Sequence, residues 1–310
     1  MRYNKQTLLK EIGKKGQEKL SKSLIAVIGL GAIGSNSAAL LARAGANLLL
    51  VDRDIVELEN LQMQNLYSES DIGKEKAIAA RNILRLVNSE IKINARVADL
   101  NFKSLNMLDK ADLILDCTDN LETRFLINEY CLKNKKPWIY AGVIGTDAAM
   151  LSFNNKYCFN CIFKEPSENL ETCDTIGLIN TAASLIASIQ VTEAIKIIAR
   201  KEFSEELITC NIWDNELKKI KVARNKNCMT CAENFNYLNG KRGNSIIKMC
   251  GRNAYQINGS RLNLNKIKNS LHKSNYSVSN NEIIAFKDGR VIVKANSESR
   301  ARSIYNRYFG

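Results

Sequence analysis

Residues 24–34 read Leu-Ile-Ala-Val-Ile-Gly-Leu-Gly-Ala-Ile-Gly. Leu24–Ile28 has the continuous apolar composition of a buried parallel strand. Gly29, Gly31 and Gly34 form a G-x-G-x-x-G turn, and Ser35–Ala44 reads as a helix of small residues. A strand, a tight turn and a helix aim helix N-terminal N–H groups and the helix dipole at a phosphate. Asn47–Val51 reads as a second strand and ends at Asp52, where a ribose-binding carboxylate belongs. These features imply a nucleotide, and their usual owner is a dehydrogenase; alone they do not choose the chemistry.

Working outward, short apolar strands alternate with helices. A helix runs from Gly73-Lys-Glu-Lys76 to about Val87, with Ala77, Ala80, Ile83, Leu84 and Val87 on one face. Strands are expected at Ile91–Val97, at Ala111–Asp116 ahead of Cys117-Thr-Asp-Asn120, and at Trp138–Ala141, with a helix over 121–134. Ala148–Phe153, Ile208–Ile212 and Leu217–Val222 read as further strands, and Ile179–Arg200 as a long helix. The alternation predicts an α/β fold with a Rossmann-like, doubly wound, mostly parallel sheet, whose ligands gather at the carboxyl ends of its strands. Residues 1–233 are expected to form this domain, 234–244 a polar linker, and 245–310 a small basic α+β domain. In that last part Ser245–Ile257 is strand-like and Leu264–Ser274 helical. Glu282–Lys287 and Arg290–Lys294 make a hairpin about Asp288-Gly289, and Ser297–Tyr308 a final helix.

The net charge of +13 is unevenly placed. Residues 1–217 hold 26 basic and 28 acidic side chains; residues 218–310 hold 19 and 4. So basic a tail suits an acidic partner, tRNA or an acidic protein, or is simply a solvated Lys-rich surface. The N-terminus lacks a signal-peptide apolar core, and no apolar run reaches the roughly 18 residues that span a bilayer, so a cytoplasmic protein without membrane contact is expected. Nine cysteines in such a chain suggest metal ligands or reactive thiols rather than disulfides.

Cys158-Phe-Asn-Cys161 and Cys228-Met-Thr-Cys231 are two C-x-x-C pairs, the ligand set of a structural zinc site. A redox dithiol fits less well, because neither pair is expected to open a helix after a strand. Cys117, Cys131, Cys210 and Cys250 read as small core residues. Cys173 lies in the polar segment Glu171-Thr-Cys-Asp-Thr-Ile-Gly177, where a thiol could act as a nucleophile. His272 is the only histidine, so acid–base chemistry falls to carboxylates, lysines or the substrate. Lys76 opens a helix and Asp119 follows a strand. Both can face the glycine turn, Lys76 as charge for phosphate and Asp119 as a Mg²⁺ ligand, though either could equally be a surface residue.

The ordered set Arg2-Tyr3…Gln6, Gly29-Leu-Gly-Ala-Ile-Gly34, Asp52-x-Asp54-x-Val56-x3-Asn60-Leu61-x2-Gln64, Gly73-x2-Lys76, Asp116-Cys-Thr-Asp-Asn120 with Arg124, the two C-x-x-C pairs and Gln190-Val-Thr-Glu193 resembles the E1-like adenylating enzymes. These are the ThiF/MoeB family and the catalytic core of ubiquitin-activating enzymes. The resemblance covers roughly residues 1–232; the tail is similar to a C-terminal extension found in some members. It implies an adenylyltransferase that uses ATP·Mg²⁺ to activate the C-terminal glycine of a ubiquitin-like or sulfur-carrier protein ending in Gly-Gly, and a homodimer. Gly29, Gly31 and Gly34 would then seat the nucleotide, Asp52 its ribose, and Asn60 and Gln64 its phosphates, with Asp54 and Asn120 in the same site. Lys76 would neutralise the α-phosphate, Asp119 hold Mg²⁺, and Cys173 carry thioester or persulfide transfer. Two departures stand out. Met63 occupies a place where relatives carry a phosphate-binding Arg, and Met cannot replace a bidentate cation; Arg53 or Arg81 could substitute. Lys5 stands where relatives carry an Arg that reaches the partner subunit's site. A non-catalytic nucleotide- or carrier-binding module, and an NAD-dependent oxidoreductase, are the alternatives.

Overall fold

The computed structural model describes residues 2–164, 177–242, 246–249, 253–259 and 270–309, with single positions at 262, 264 and 267. Cys173 and Cys250 lie outside the described residues. Eight strands form the main sheet: β1 (Leu24–Ile28), β2 (Asn47–Asp52), β3 (Ile93–Val97), β4 (Leu113–Asp116), β5 (Trp138–Ile144), β6 (Asp147–Phe153), β7 (Leu207–Asn211) and β8 (Glu216–Ile220), in the order β3-β2-β1-β4-β5-β6-β7-β8. Pairing is parallel from β3 through β5 and antiparallel from β5 to β8. The chain therefore reverses direction between β1 and β4, leaving a crevice at their carboxyl ends.

The helices are α1 (Asn4–Thr7), α2 (Gly13–Lys22), α3 (Ala32–Ala44), α4 (Lys76–Val87), α5 (Leu121–Asn134), α6 (Phe159–Ile162), α7 (Asn180–Ala199) and α8 (Glu298–Phe309). The central strands β1, β2 and β4 are apolar on both faces because both faces are covered, whereas β8 at the sheet edge is exposed throughout. Ile25, Val27, Leu48, Leu50, Leu113 and Leu115 join the core beneath α3, α4 and α7. The alternate residues Ala26, Ile28, Leu49, Val51 and Ile114 join Phe125, Ile127 and Phe159 on the other face. One expectation is corrected here. Helix α7, at 20 residues, is long and apolar enough by length and composition to cross a membrane. Half of its most apolar window is buried in the fold, and it packs against α2, α3, β5 and β6.

Residues 235–240 are packed rather than free. The Glu129 carboxylate, 2 % exposed, accepts the Asn236 and Leu238 N–H groups at 3.0 and 2.8 Å, and Tyr237 stacks on Phe125 with ring centroids 5.4 Å apart. Beyond them a second sheet forms from β9 (Ile246–Met249), β10 (Ala254–Asn258), β11 (His272–Lys273), β12 (Ser277–Ser279), β13 (Ile283–Phe286) and β14 (Arg290–Lys294), all antiparallel, in the order β11-β12-β13-β14-β10-β9. The hairpin about Asp288-Gly289 and the closing helix stand as expected; Gly289 turns at φ +107°. The helix expected over Leu264–Ser274 is not formed at its described end, where His272–Lys273 pairs with Ser279 and Val278. Ser245–Ile257 is broken into β9 and β10 rather than continuous. Ile55 and Val97 of the main sheet's crevice side pack with Ala254, Ile284, Phe286 and Ile292, joining the two sheets through one apolar cluster.

Candidate adenylation site

A cavity of about 1050 Å³ opens at the carboxyl ends of β1, β2 and β4. Gly29 and Gly31 form its floor. Gly29 has φ +84°, and a Cβ there would lie 2.8 Å from the Cys117 carbonyl oxygen. A Cβ on Gly34 would lie 1.8 Å from the Gly29 oxygen, so Gly34 does not line the cavity but lets α3 close onto the turn. At Gly31 the nearest atom is Gln64 Nε2 at 4.0 Å, which leaves the cavity open.

Asp52 ties this floor to β2. Its Oδ2 accepts the Leu30 N–H at 2.6 Å and its Oδ1 the Asp54 N–H at 2.7 Å. Burial pushes its carboxyl above the ordinary value, against the pull of Lys76. Lys76, itself 5 % exposed, opens α4 and places Nζ 3.9 Å from Asp54 Oδ2. Asn60 and Gln64 are buried in the wall. Asn60 Oδ1 accepts the Glu57 N–H at 3.3 Å, while the buried Gln64 Oε1 has no hydrogen-bond partner among the described residues.

Across the cavity, Asp119 is exposed to it and Asn120 caps α5, its Oδ1 accepting the Thr123 N–H at 2.8 Å. Arg53 lies between these walls. Burial works against its charge, but Asp99, Asp54, Asp119 and Asp52 outweigh that and hold it firmly protonated. Met63 also lines the cavity and presents no charge. Arg81 does not line it; its guanidinium bonds to Asn82. Lys5 is exposed on α1 and is likewise absent from the lining of its own chain's cavity.

The expected nucleotide and phosphate residues, Gly34 and Lys5 apart, thus meet in one crevice. Arg53 and Lys76 set among Asp52, Asp54, Asp99 and Asp119 suit a polyphosphate carried with a divalent cation, and the exposed Asp119 oxygens fit a hard-cation ligand. Asp99 is not among the residues singled out in the sequence, and Arg124 and Gln190, quoted there within motifs, carry no assigned role. Asp99 pairs with Arg53 Nη1 at 3.4 Å, and Arg124 lies 5.0 Å over the Tyr140 ring and 3.9 Å from Asp116. Asp99 follows β3, so its position at a strand's carboxyl end was the available signal. Gln190 fixes the floor from below: Oε1 accepts from Ser37 Oγ at 2.8 Å and Cys117 Sγ at 3.3 Å, and Nε2 donates to the Asp116 and Ile139 carbonyls.

The four cysteines of the C-x-x-C pairs converge, with Sγ···Sγ distances of 3.5 Å (Cys158–Cys228 and Cys161–Cys231) and 3.8 Å (Cys158–Cys161). A tetrahedral ion with Zn–S near 2.3 Å requires S···S of roughly 3.8 Å. The cluster could hold zinc. Cys158 does cap the short helix α6 after β6, contrary to expectation; the gathering of four thiols, not the absence of a helix, is what sets aside an isolated redox pair.

The ThiF family profile matches residues 3–230. The sulfur carrier protein ThiS adenylyltransferase of Bacillus subtilis is 32% identical over 333 aligned positions, covering 100% of this chain and 99% of that protein. The molybdopterin-synthase adenylyltransferase of Escherichia coli is 33% identical over 242 positions, covering 75% of this chain and 96% of that protein. Among solved structures, E. coli MccB with MccA-N7isoAsn has the same fold, with a TM-score of 0.67 at 22% identity over 74% of this chain and 75% of that one. With the glycine turn, the crevice residues and three of the four paired cysteines inside the matched region, and Cys231 one residue beyond it, the chain belongs to the ThiF family of E1-like adenylyltransferases.

Proposed function

We propose that this protein adenylates the C-terminal glycine of a ubiquitin-like sulfur-carrier or modifier protein at the expense of ATP. The observation that carries this reading is the convergence of Lys76 and Asp119 on the glycine turn in one cavity. A carboxylate oxygen of the carrier attacks the α-phosphorus, the bond from that phosphorus to the bridging oxygen breaks, and pyrophosphate leaves. The attacking group arrives ionised, so no general base is required, which suits a cavity without histidine. Lys76 and Arg53 oppose the negative charge that gathers on the phosphates, and Asp52 and the glycine turn hold the nucleoside end. Asp119 would hold Mg²⁺, which supplies charge neutralisation at the phosphates. Zinc at Cys158, Cys161, Cys228 and Cys231 would be structural, tying residues 228–231 to the end of β6.

In the same reading the protein is a cytoplasmic homodimer, with Lys5 serving the partner's cavity. The thiolate of Cys173 would take the acyl group as a thioester, expelling AMP; this role rests on its sequence context alone. A carrier lacking its last two glycines should give no acyl-adenylate, whereas the intact carrier should. Adenylate formation on both would remove the C-terminal glycine as the target.

Met63 favours one second reading, a carrier- or nucleotide-binding module without turnover. Stoichiometric ATP binding with no pyrophosphate release in the presence of carrier would support it.

A further inference from the structure

The antiparallel sheet spends buried polar groups on the wall of the nucleotide cavity. Gln256 on β10 donates from Nε2 to Asp99 Oδ2 at 2.7 Å, and the other Asp99 oxygen faces Arg53 Nη1. Arg290 on β14 donates from Nη1 to the Arg53 carbonyl at 3.0 Å. Its guanidinium is pre-set by Asp288, at 2.8 Å, and by the Phe286 ring, 4.3 Å below it. Ser277 on β12 donates to Glu75 Oε1 at 2.6 Å, and the Ser274 hydroxyl donates to the same oxygen. Ser274 Oγ accepts the Tyr276 and Ser277 N–H groups at 2.9 and 3.0 Å, which leaves its proton for the carboxylate.

Glu75 is buried and immediately precedes Lys76, whose own N–H donates to the Asp54 carbonyl at 2.9 Å. Gln256, Ser277 and Arg290 are all nearly inaccessible to solvent. Buried polar side chains are costly unless their bonds are made, so these bonds fix the junction in one arrangement. Arg290, Ser274 and Ser277 hold the loop from β2 to α4, and Gln256 holds Asp99, after β3, against Arg53 of that loop; a loop stays where a site needs it only when tied down. Ile55 on that loop is seated in the apolar cluster shared with Phe286 and Ile292.

We propose that the C-terminal antiparallel sheet is a positioning element of the nucleotide site, in which Gln256, Ser274, Ser277 and Arg290 set where Arg53 and Lys76 stand in the cavity wall. Its kinetic consequence rests on the adenylation reading; its structural consequence does not. A sheet used only to dock an acidic partner would have no need of these four contacts.

The test uses the full chain with Ser274→Ala/Ser277→Ala, with Gln256→Leu, and with Arg302→Ala on the outer face of α8 as a control. ATP–pyrophosphate exchange gives kcat and KM for ATP, calorimetry gives ATP affinity, and amide hydrogen exchange reports the Val56 and Lys76 N–H groups. The serine pair and Gln256→Leu are expected to raise KM for ATP about tenfold, since small misplacements in a site are costly, and to speed exchange at those two amides. Arg302→Ala should do neither. If the serine pair unfolds the sheet, Ser277→Ala alone, which keeps the Ser274 bond, is read in the same way. Unchanged KM and unchanged amide exchange, or equal effects from Arg302→Ala, would overturn the proposal. Should the wild-type protein show no exchange with any carrier, the adenylation reading fails, while ATP affinity and amide exchange still decide the positioning.

Discussion

Lys76 Nζ stands 3.9 Å from Asp54 Oδ2, while the Lys76 N–H donates to the Asp54 carbonyl at 2.9 Å. The lysine is thus referenced at both ends to the acidic loop after β2, and its ammonium is held inside the cavity rather than in solvent. Replacing it with Met keeps the apolar stem and removes the charge. Lys76→Met is expected to lower kcat about a hundredfold, the scale for losing one preorganised electrostatic group, with little change in thermal midpoint. Initial rates of adenylate formation measure the first and calorimetric melting the second.

Met63 lines the same cavity without a charge, and Arg53 is engaged by four carboxylates. A guanidinium added at position 63 would meet phosphate with fewer competing partners. Met63→Arg is therefore expected to tighten ATP binding about tenfold, the size of one charge-assisted hydrogen bond. Titration calorimetry with ATP reads this directly; unchanged affinity would mean that the charge at position 63 is redundant with Arg53.

The cysteine cluster predicts a metal-dependent fold. One zinc per chain is expected by elemental analysis, and Cys231→Ser should lower that content and the melting temperature together, because metal binding free energy is folding free energy. A protein that melts identically with and without a strong chelator, and contains no zinc, would show that the thiols only pack.

Asp71 carries a pH signature. Burial acts to raise its carboxyl, but the Lys74 ammonium at 2.9 Å and the Ser68 hydroxyl and N–H more than offset that, holding it below the ordinary 3.8. A lowered folded-state value stabilises the protein above the unfolded value and is lost as pH falls through the folded one. Asp71→Asn should therefore be less stable than wild type at neutral pH, and the difference should vanish on acidification past 3.8 and through that lower value. Paired denaturant titrations across that range check the sign.

Much of the main sheet could be read along the chain because its signals are local. A five-residue apolar strand, glycines that no other residue can replace at Gly29 and Gly34, and a helix of small residues specify one another within a short segment. Lys76 and Asp119 are identifiable as phosphate and metal candidates because Lys76 opens a helix and Asp119 follows the end of a strand. The role of Arg53 could not be assigned, because its charge environment is assembled from Asp52, Asp54, Asp99 and Asp119 on different loops. Gln190 likewise acts through bonds to Ser37, Cys117, Asp116 and Ile139, all distant in sequence. The region after residue 244 is only partly legible in sequence, because antiparallel pairing of strands as short as His272–Lys273 and Ser277–Ser279 depends on neighbours rather than on period. The apolarity of α7 was missed because Ser, Thr and Gln interrupt its run without making it polar overall.

The most direct measurement is ATP–pyrophosphate exchange with a Gly-Gly-ended carrier from the same genome, using wild type and Asp119→Ala side by side. Exchange by the wild type is expected only when carrier is present, and none by Asp119→Ala. Exchange that survives loss of Asp119, or no exchange by the wild type with any such carrier, would contradict adenylation at this site.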